Sequence, residues 1–471
     1  MTRADFLFQS FRDRLDFEPT PCQEKLLRET ADFLTCADAD ILVVNGYAGT
    51  GKTTAMGAVI AALRAQKTPC VLLAPTGRAA KVFSGIAGSP AWTIHKHIYR
   101  QKGVGDDGFG RFSLAPNEAR DTLFIVDEVS LIGLDEGQKV MQFGSGNLLE
   151  DLVTFVRNGR DCRLILVGDA AQLPPVGLDE SPALNGEYMA FFGGVRRTEL
   201  VTVVRQARDS GILMNATALR ERIVAGVPAD IRLSLADYGD IERIDGSTLV
   251  ETLSDAYARY GEDGTIVLCR SNKRAIRYNK GIRAMVQFKE ERLVGGERLM
   301  IVKNCYQFLD NVKGMDYIAN GDIACLGRLR RHHSRYGFEF AEAQLIFPDY
   351  DDATVNAMVL LDTLESESPS LTYEQQNALY LGVSADYAHI RGKQKRWMAV
   401  REDPFYNALQ LKYAEAVTCH KSQGGQWDCV FIDCPFWQDE QSVEDLKWLY
   451  TALTRAVKKV YLVNFPDRFF V

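Results

Sequence analysis

Residues Gly46-Tyr47-Ala48-Gly49-Thr50-Gly51-Lys52-Thr53 follow the pattern G-x-x-x-x-G-K-[ST], and no other stretch restricts the fold of this chain so tightly. Such an octet wraps phosphate only when a buried strand delivers it and a helix leaves it. Both flanks are present: Ile41–Asn45 (ILVVN) is a β-branched apolar run, and Thr53–Gln66 (TTAMGAVIAALRAQ) is a helical stretch with a broad apolar face. The glycines allow the backbone to turn its amides onto phosphates, and the new helix adds the positive end of its dipole. The cradle comprises Gly46, Ala48, Gly49, Thr50, Gly51, Lys52, Thr53 and Thr54, with the Lys52 ammonium at the β/γ-phosphates and the Thr53 hydroxyl on Mg2+. ATP with Mg2+ is the expected ligand.

The rest of the first part fits an α/β fold. Cys70–Ala74 (CVLLA), Leu123–Asp127 (LFIVD) and Leu164–Gly168 (LILVG) are short apolar runs separated by helical patterns, the mark of buried parallel strands. The pattern returns in Thr265–Cys269, Glu415–Thr418, Cys429–Asp433 and Val460–Val463, with helical stretches at Asn272–Arg283 and Val443–Ala456. The reading is therefore a first parallel-sheet domain over 1–195 and a second over 196–324 and 409–471. Between them, 325–408 is an insertion of different character. It holds a basic island (Arg328, Arg330, Arg331, His332, His333, Arg335), an acidic stretch (Asp349, Asp351, Asp352) and a second basic island (Arg391, Lys393, Lys395, Arg396).

Composition narrows the partners. The chain has 471 residues and a formal charge of −7, so a protein coating itself broadly on duplex nucleic acid is excluded, and any such contact comes from a local groove. Ten cysteines are scattered without a C-x-x-C pair, which speaks against a zinc ribbon and for reduced core thiols. The N-terminal MTRADFLFQSFRDRL has no signal-peptide character, and no apolar run is long enough to span a membrane. A cytoplasmic protein without membrane contact is expected.

Two further segments carry chemistry. Asp127-Glu128 ends an apolar strand, where Asp127 suits a hard oxygen ligand for Mg2+ and Glu128 a base for the attacking water. Gly168-Asp169-Ala170-Ala171-Gln172-Leu173-Pro174-Pro175-Val176 follows another buried strand and places Gln172 where it can sense the γ-phosphate. Two arginines far away in sequence, Arg205 and Arg455, suggest a cleft that two domains close; an arginine arriving on closure is worth about 10³–10⁵ in rate in other phosphoryl-transfer systems.

These segments resemble motifs I, II and III of superfamily 1 helicases, in the RecD-like, Dda-like and Pif-type branch. Others follow in order. Pro21-Cys22-Gln23 resembles the adenine-reading glutamine motif; Ala74-Pro75-Thr76-Gly77-Arg78-Ala79-Ala80-Lys81 and Thr93-Ile94-His95 are similar to DNA-contacting segments. Val203-Val204-Arg205-Gln206 is similar to the motif whose arginine reaches the γ-phosphate. Val417-Thr418-Cys419-His420-Lys421-Ser422-Gln423-Gly424 resembles motif V, and Tyr450-Thr451-Ala452-Leu453-Thr454-Arg455-Ala456 motif VI. The resemblance implies two RecA-like domains with an inserted SH3-like β-rich module, approached through Ala319-Asn320-Gly321-Asp322. It also implies Gln23 at the adenine and single-stranded DNA across both domains, over Pro75, Thr76, His95, Thr418, His420 and Ser422. The implied activity is ATP-dependent unwinding of DNA forks with 5′–3′ movement, by a protein expected to act as a monomer.

Gln101–Leu114 (QKGVGDDGFGRFSL) has the glycine content of a β-hairpin with a tight turn, at the place where this family carries a strand-separating pin. An exposed Phe109 near its tip could stack on the last base pair, for about 1–3 kcal/mol. Because the expected contacts are mainly to phosphates, an RNA translocase stays open as an alternative, as does an ATP-switched remodelling factor that does not unwind.

Overall fold

The computed structural model describes residues 1–104, 110–134, 142–204, 209–226, 230–235, 238–309, 312, 315, 317–436, 438 and 440–471. In the first domain the strands are β1 (Ile41–Gly46), β2 (Cys70–Ala74), β3 (Ala91–Thr93), β4 (Tyr99–Val104), β5 (Gly110–Leu114), β6 (Leu123–Val126), β7 (Gln142–Phe143), β8 (Arg163–Gly168) and β9 (Val195–Leu200). Six of them form one sheet in the order β3-β2-β6-β8-β1-β9, parallel throughout. Every residue of β1 and β6 is buried, which is why both read as unbroken apolar runs. Successive side chains enter opposite cores: Leu42, Val44 and Ile125 meet the helices Pro21–Thr35 and Lys52–Ala65, while Val43, Phe124 and Val126 meet Leu148–Asn158. The sheet extends past residue 195 because β9 (VRRTEL) alternates burial at the edge and carries no apolar run.

β4 and β5 pair antiparallel from Tyr99↔Leu114 to Val104↔Gly110, and β7 adds beside β5. The hairpin expected from the glycines is therefore present. Its turn, with Phe109, lies outside the described residues.

The second domain contributes β10 (Ile241–Ile244) and β11 (Thr265–Cys269). The chain then builds β12 (Arg298–Ile301), β13 (Ile323–Arg335), β14 (Phe338–Phe347), β15 (Ala353–Leu360) and β16 (Leu409–Tyr413) before β17 (Ala416–Thr418), β18 (Trp427–Asp433) and β19 (Ala456–Val463). The sheet order is β10-β19-β18-β11-β17, again all parallel, and β12 to β16 close into a barrel. Two barrel strands, β12 and β16, lie outside the 325–408 stretch read from sequence. Closure requires them, since β12 pairs both with β13 and with β16. The helices Tyr373–Asp386 and Lys393–Glu402 pack Leu379, Val383 and Val400 against Phe338, Phe340 and Leu360 of the barrel. A buried Arg283–Glu297 ion pair fastens the helix Asn272–Met285 to the barrel's entry.

Asp322, just before β13, is buried; its carboxylate accepts from the Ala319 amide at 2.7 Å and from the Tyr350 hydroxyl at 3.1 Å. Burial outweighs both bonds and pushes its pKa up to about 7. The fold thus prefers the neutral acid. The associated stability is complete below the ordinary carboxylate pKa of about 4 and is lost as pH rises toward the folded value. Urea unfolding across that window should show the wild type losing stability with rising pH and Asp322→Asn remaining flatter; equal pH profiles would contradict this assignment.

Candidate active site

The turn after β1 is built as the sequence demands. Gly49 and Gly51 both have φ +72°, a region costly for residues with a Cβ. The helix Lys52–Ala65 begins with Gly51 as its cap, with no side chain bonded to its first amides and no acid in its first turn. Those amides are left for an anion. Gln23 braces the loop from behind: its Oε1 accepts from the Thr20 amide at 2.9 Å and its Nε2 donates to the Thr50 carbonyl at 3.0 Å. The resemblance assigned Gln23 to the adenine; here its amide is fully buried and joined to the loop itself.

β6 and β8 bring the carboxylates to the same end of the sheet. Asp127 is buried, and burial first, then the charge of Glu128, raises its pKa; Lys52 and the Thr53 hydroxyl oppose that rise. Lys52, Thr53, Asp127 and Glu128 are thus one cluster. Glu128 stands in the left-handed region at φ +56°, an unusual conformation for a glutamate and one that functional sites retain. Its Oε2 and the Oε1 of Gln172 are buried without a hydrogen-bond partner. A crowded carboxylate pair beside a hydroxyl, with two buried oxygens left without a partner on Glu128 and Gln172, suits a hydrated divalent cation and a nucleoside triphosphate. Among the described residues no group of three or more His, Cys, Asp or Glu side chains could hold a metal, so a cation here would be held by the Asp127 carboxylate and the Thr53 hydroxyl together with phosphate and water.

The second domain reaches into this cluster through a residue that sequence reasoning passed over. Tyr450, on the helix Val443–Leu453, donates its hydroxyl to Asp169 Oδ2 at 2.7 Å and accepts from the Ala48 amide of the phosphate turn at 2.8 Å. Beside it the Thr451 hydroxyl accepts from the Leu173 amide at 2.7 Å, and Gln423 Nε2 donates to the Leu173 carbonyl at 2.7 Å. The segment after β8 is therefore clasped by both domains. Asn45 adds to it by accepting from the Ala170 amide at 3.0 Å. Gly424 and Gly425 permit the approach, since a Cβ at Gly424 would stand 3.0 Å from Ala79 Cβ and one at Gly425 2.6 Å from Arg78 Nε. Arg78 in turn lies over the Trp427 ring, 3.9 Å from its centroid. Tyr450 and Thr451 sit inside the motif already quoted, so the signal was present; what was absent was any way to see which side chains face the cleft.

Arg455 is not brought to the phosphate turn. It is buried in its own domain, donating to the carbonyls of Thr451 and Gly425 at 3.2 Å each. The helix ends at Leu453, and the turn that follows points the side chain inward. Arg205 lies outside the described residues; just before it, the Val204 amide donates to the Gly49 carbonyl at 2.9 Å.

Of the residues expected to meet a nucleic-acid strand, Pro75 and Thr76 follow β2, and the Thr76 hydroxyl caps the helix Gly77–Ala87 through the Ala79 amide. His95 is on the short helix Ile94–Ile98, its ring 5.7 Å from that of Tyr99. Thr418 ends β17 with a hydroxyl that caps nothing. His420 is half-buried, and burial lowers its pKa; it lines the interdomain cleft with Leu173, Pro174 and Glu444. Ser422 is fully buried and donates to the Cys419 carbonyl at 2.7 Å, so its hydroxyl faces the interior.

Two parallel-sheet domains meeting over a phosphate turn define a two-domain RecA-like nucleotide-binding protein. Residues 23–244 match the family model of an AAA domain, and 413–463 match that of a UvrD-like helicase C-terminal domain. The chain is 33% identical over 202 residues to the ATP-dependent RecD2 DNA helicase of Deinococcus radiodurans, an alignment covering 43% of this chain and 25% of that protein. It is 24% identical over 474 residues to the ATP-dependent DNA helicase dda of Enterobacteria phage T4, covering 90% of this chain and 94% of that one. The chain thus spans a quarter of the first relative and nearly all of the second. Among solved structures, Pif1 helicase from Bacteroides in complex with ADP-AlF3 and ssDNA is 15% identical, with a TM-score of 0.48 over 97% of this chain and 95% of that one. Pif1 helicase from Candida albicans is 15% identical, with a TM-score of 0.44 over 96% of each. These matches support a superfamily 1 helicase of the RecD-like, Dda-like and Pif-type branch. No described helix is long and apolar enough to cross a membrane.

Proposed function

We propose that this chain is an ATP-dependent DNA helicase that moves 5′ to 3′ along single-stranded DNA and opens forks, acting as a cytoplasmic monomer. The observation that carries the reading is the Tyr450 bridge, because it ties the phosphate turn and the Asp127–Glu128 cluster to a second domain that can move with nucleotide state. Lys52 neutralises charge on the β/γ-phosphates, and Glu128 orients the attacking water and accepts its proton. Thr53 and Asp127 would hold Mg2+, which supplies charge neutralisation at the phosphates when bound. Gln172 reads the γ-phosphate from its place between the domains. Arg205 and Arg455 are assigned to transition-state charge, and for Arg455 that role requires the side chain to leave its present carbonyl partners on closure. Pro75, Thr76, His95, Thr418, His420 and Ser422 are assigned to the strand, and Phe109 to the fork junction. The likeness to the RecD2 and Dda DNA helicases supports DNA as the track, and the resemblance of the motifs to the 5′–3′ branch supports the direction.

The test is hydrolysis of ATP with and without a single-stranded oligonucleotide. Strong stimulation is expected. Turnover that ignores the strand would favour a nucleotide-switched remodelling factor instead.

Tyr450→Phe keeps the buried ring and removes both cross-cleft bonds, leaving the Asp169 carboxylate and the Ala48 amide short of a partner. Unsatisfied buried groups cost about 1–3 kcal/mol each. Strand-stimulated turnover should fall roughly tenfold, read as kcat at a temperature where the variant's melting curve, itself shifted downward, shows it still folded. Unchanged kcat would show that the bridge is incidental.

A further inference from the structure

Thr76 and Arg78 stand at the start of the helix Gly77–Ala87, directly against a turn of the second domain. Gly424 and Gly425 form that turn, and a Cβ at Gly424 would stand 3.1 Å from the Thr76 hydroxyl oxygen. Two residues on, Trp427 opens β18, and its indole is the face on which the Arg78 guanidinium rests. Arg78 makes no hydrogen bond or ion pair with any described residue. Burial above all brings its pKa down to about 10; Asp349 opposes the fall, and the charges of Arg298 and Arg455 add to it. A cation so placed, without a carboxylate of its own, is held by the ring beneath it.

The same turn is tied to Arg455. The Trp427 amide donates to the Arg455 carbonyl at 2.9 Å, and the Arg455 side chain donates to the Gly425 carbonyl at 3.2 Å. In the sheet, Trp427 pairs with Ala456. A short run of contacts therefore leads from Arg455 through the turn to Arg78, and on to Thr76, whose hydroxyl caps the helix that carries Arg78.

We propose that Arg78 and Trp427 are positioning residues that carry the movement of Arg455 to the strand contact at Thr76. The inference rests on the translocase reading and deepens it. When the cleft closes on nucleotide, Arg455 leaves the Gly425 carbonyl and frees the turn. The stacked pair then passes the turn's displacement into the helix Gly77–Ala87. The kind of contact matters here. A hydrogen bond weakens steeply once bent below about 120°, so the bonds of Tyr450 and Gln423 to the first domain suit a catch that breaks. A cation over a ring stays attracted within about 6 Å of the centroid and tolerates sliding, which suits a contact that lasts through the stroke.

The test measures strand-stimulated hydrolysis and the base pairs opened per ATP on one fork, at saturating oligonucleotide. The proteins are the wild type, Arg78→Gln, Arg78→Lys, Trp427→Leu and the Arg78→Gln/Trp427→Leu double variant. Arg78→Gln should keep its stimulated hydrolysis and open roughly five- to thirty-fold fewer base pairs per ATP, the factor to which a partly desolvated cation–π contact corresponds. Arg78→Lys, which keeps a cation over the ring, should recover part of the loss. The double variant should be no worse than Arg78→Gln, because one interaction is lost only once. A variant that merely folds less lowers hydrolysis and unwinding together and leaves their ratio alone. A wild-type ratio in Arg78→Gln would overturn the proposal and leave the translocase reading standing. A loss confined to oligonucleotide affinity, with a normal ratio at saturation, would make Arg78 a strand contact and overturn it as well. A wild type that opens no fork would overturn the reading beneath it.

Discussion

Lys52→Ala is expected to abolish measurable ATP turnover while the protein still melts near the wild-type temperature. The side chain leaves the first turn of the helix Lys52–Ala65 and folds back over Gly46, where an added Cβ would stand 3.0 Å from Lys52 Cβ and Cδ. It packs in none of the apolar clusters, and alanine is at least as good a helix former, so the fold loses little. The site loses the ammonium that acts on Asp127. Removing a single well-placed electrostatic partner costs about 10²–10³ in rate. Here the loss also raises the Asp127 pKa further, because Lys52 is the largest influence holding it down. Steady-state hydrolysis together with a melting curve decides the matter. Wild-type turnover in the variant would remove the phosphate turn from the mechanism.

Glu128→Gln should separate binding from chemistry. The glutamate is placed by the end of β6 in a left-handed backbone conformation, and one of its oxygens has no protein partner. Glutamine fills the same volume, keeps an acceptor and cannot take a proton. General-base catalysis contributes about 10²–10⁴-fold. A fall of that order in kcat is expected with nucleotide affinity kept, measured by single-turnover hydrolysis beside equilibrium binding of a fluorescent ATP analogue. Full activity in this variant would give the base role to another group.

How far the sequence alone leads depends on how local each feature is. The phosphate turn was legible to the residue, since glycine positions, the preceding strand and the following helix are all encoded within a few residues. Both parallel sheets were legible as well, because strands buried on two faces read as solid apolar runs. β9 falls beyond the expected boundary at 195 because an edge strand needs no such run. The barrel's extent was hidden for a related reason: β12 (RLMI) and β16 (LQLKY) are short, and only closure of the barrel shows that they belong to it. Site residues divide in the same way. The Asp127–Glu128 pair and Lys52 meet as expected from their positions at strand ends. Gln23, Ser422 and Arg455 were singled out through motifs, which fix residue type but not the direction of a side chain; all three turn inward in this structure. Tyr450 bonds two groups across the cleft, yet in the sequence it stands only as part of a motif's frame. Arg205 and Phe109 lie outside the described residues.

The most direct measurement of the central claim is unwinding of two matched DNA forks, one with only a 5′ single-stranded tail and one with only a 3′ tail, in the presence of Mg2+ and ATP. The account predicts strand separation from the 5′-tailed substrate, dependent on hydrolysis and absent in Lys52→Ala. Separation only from the 3′-tailed substrate, or none from either while the strand still stimulates hydrolysis, would contradict it.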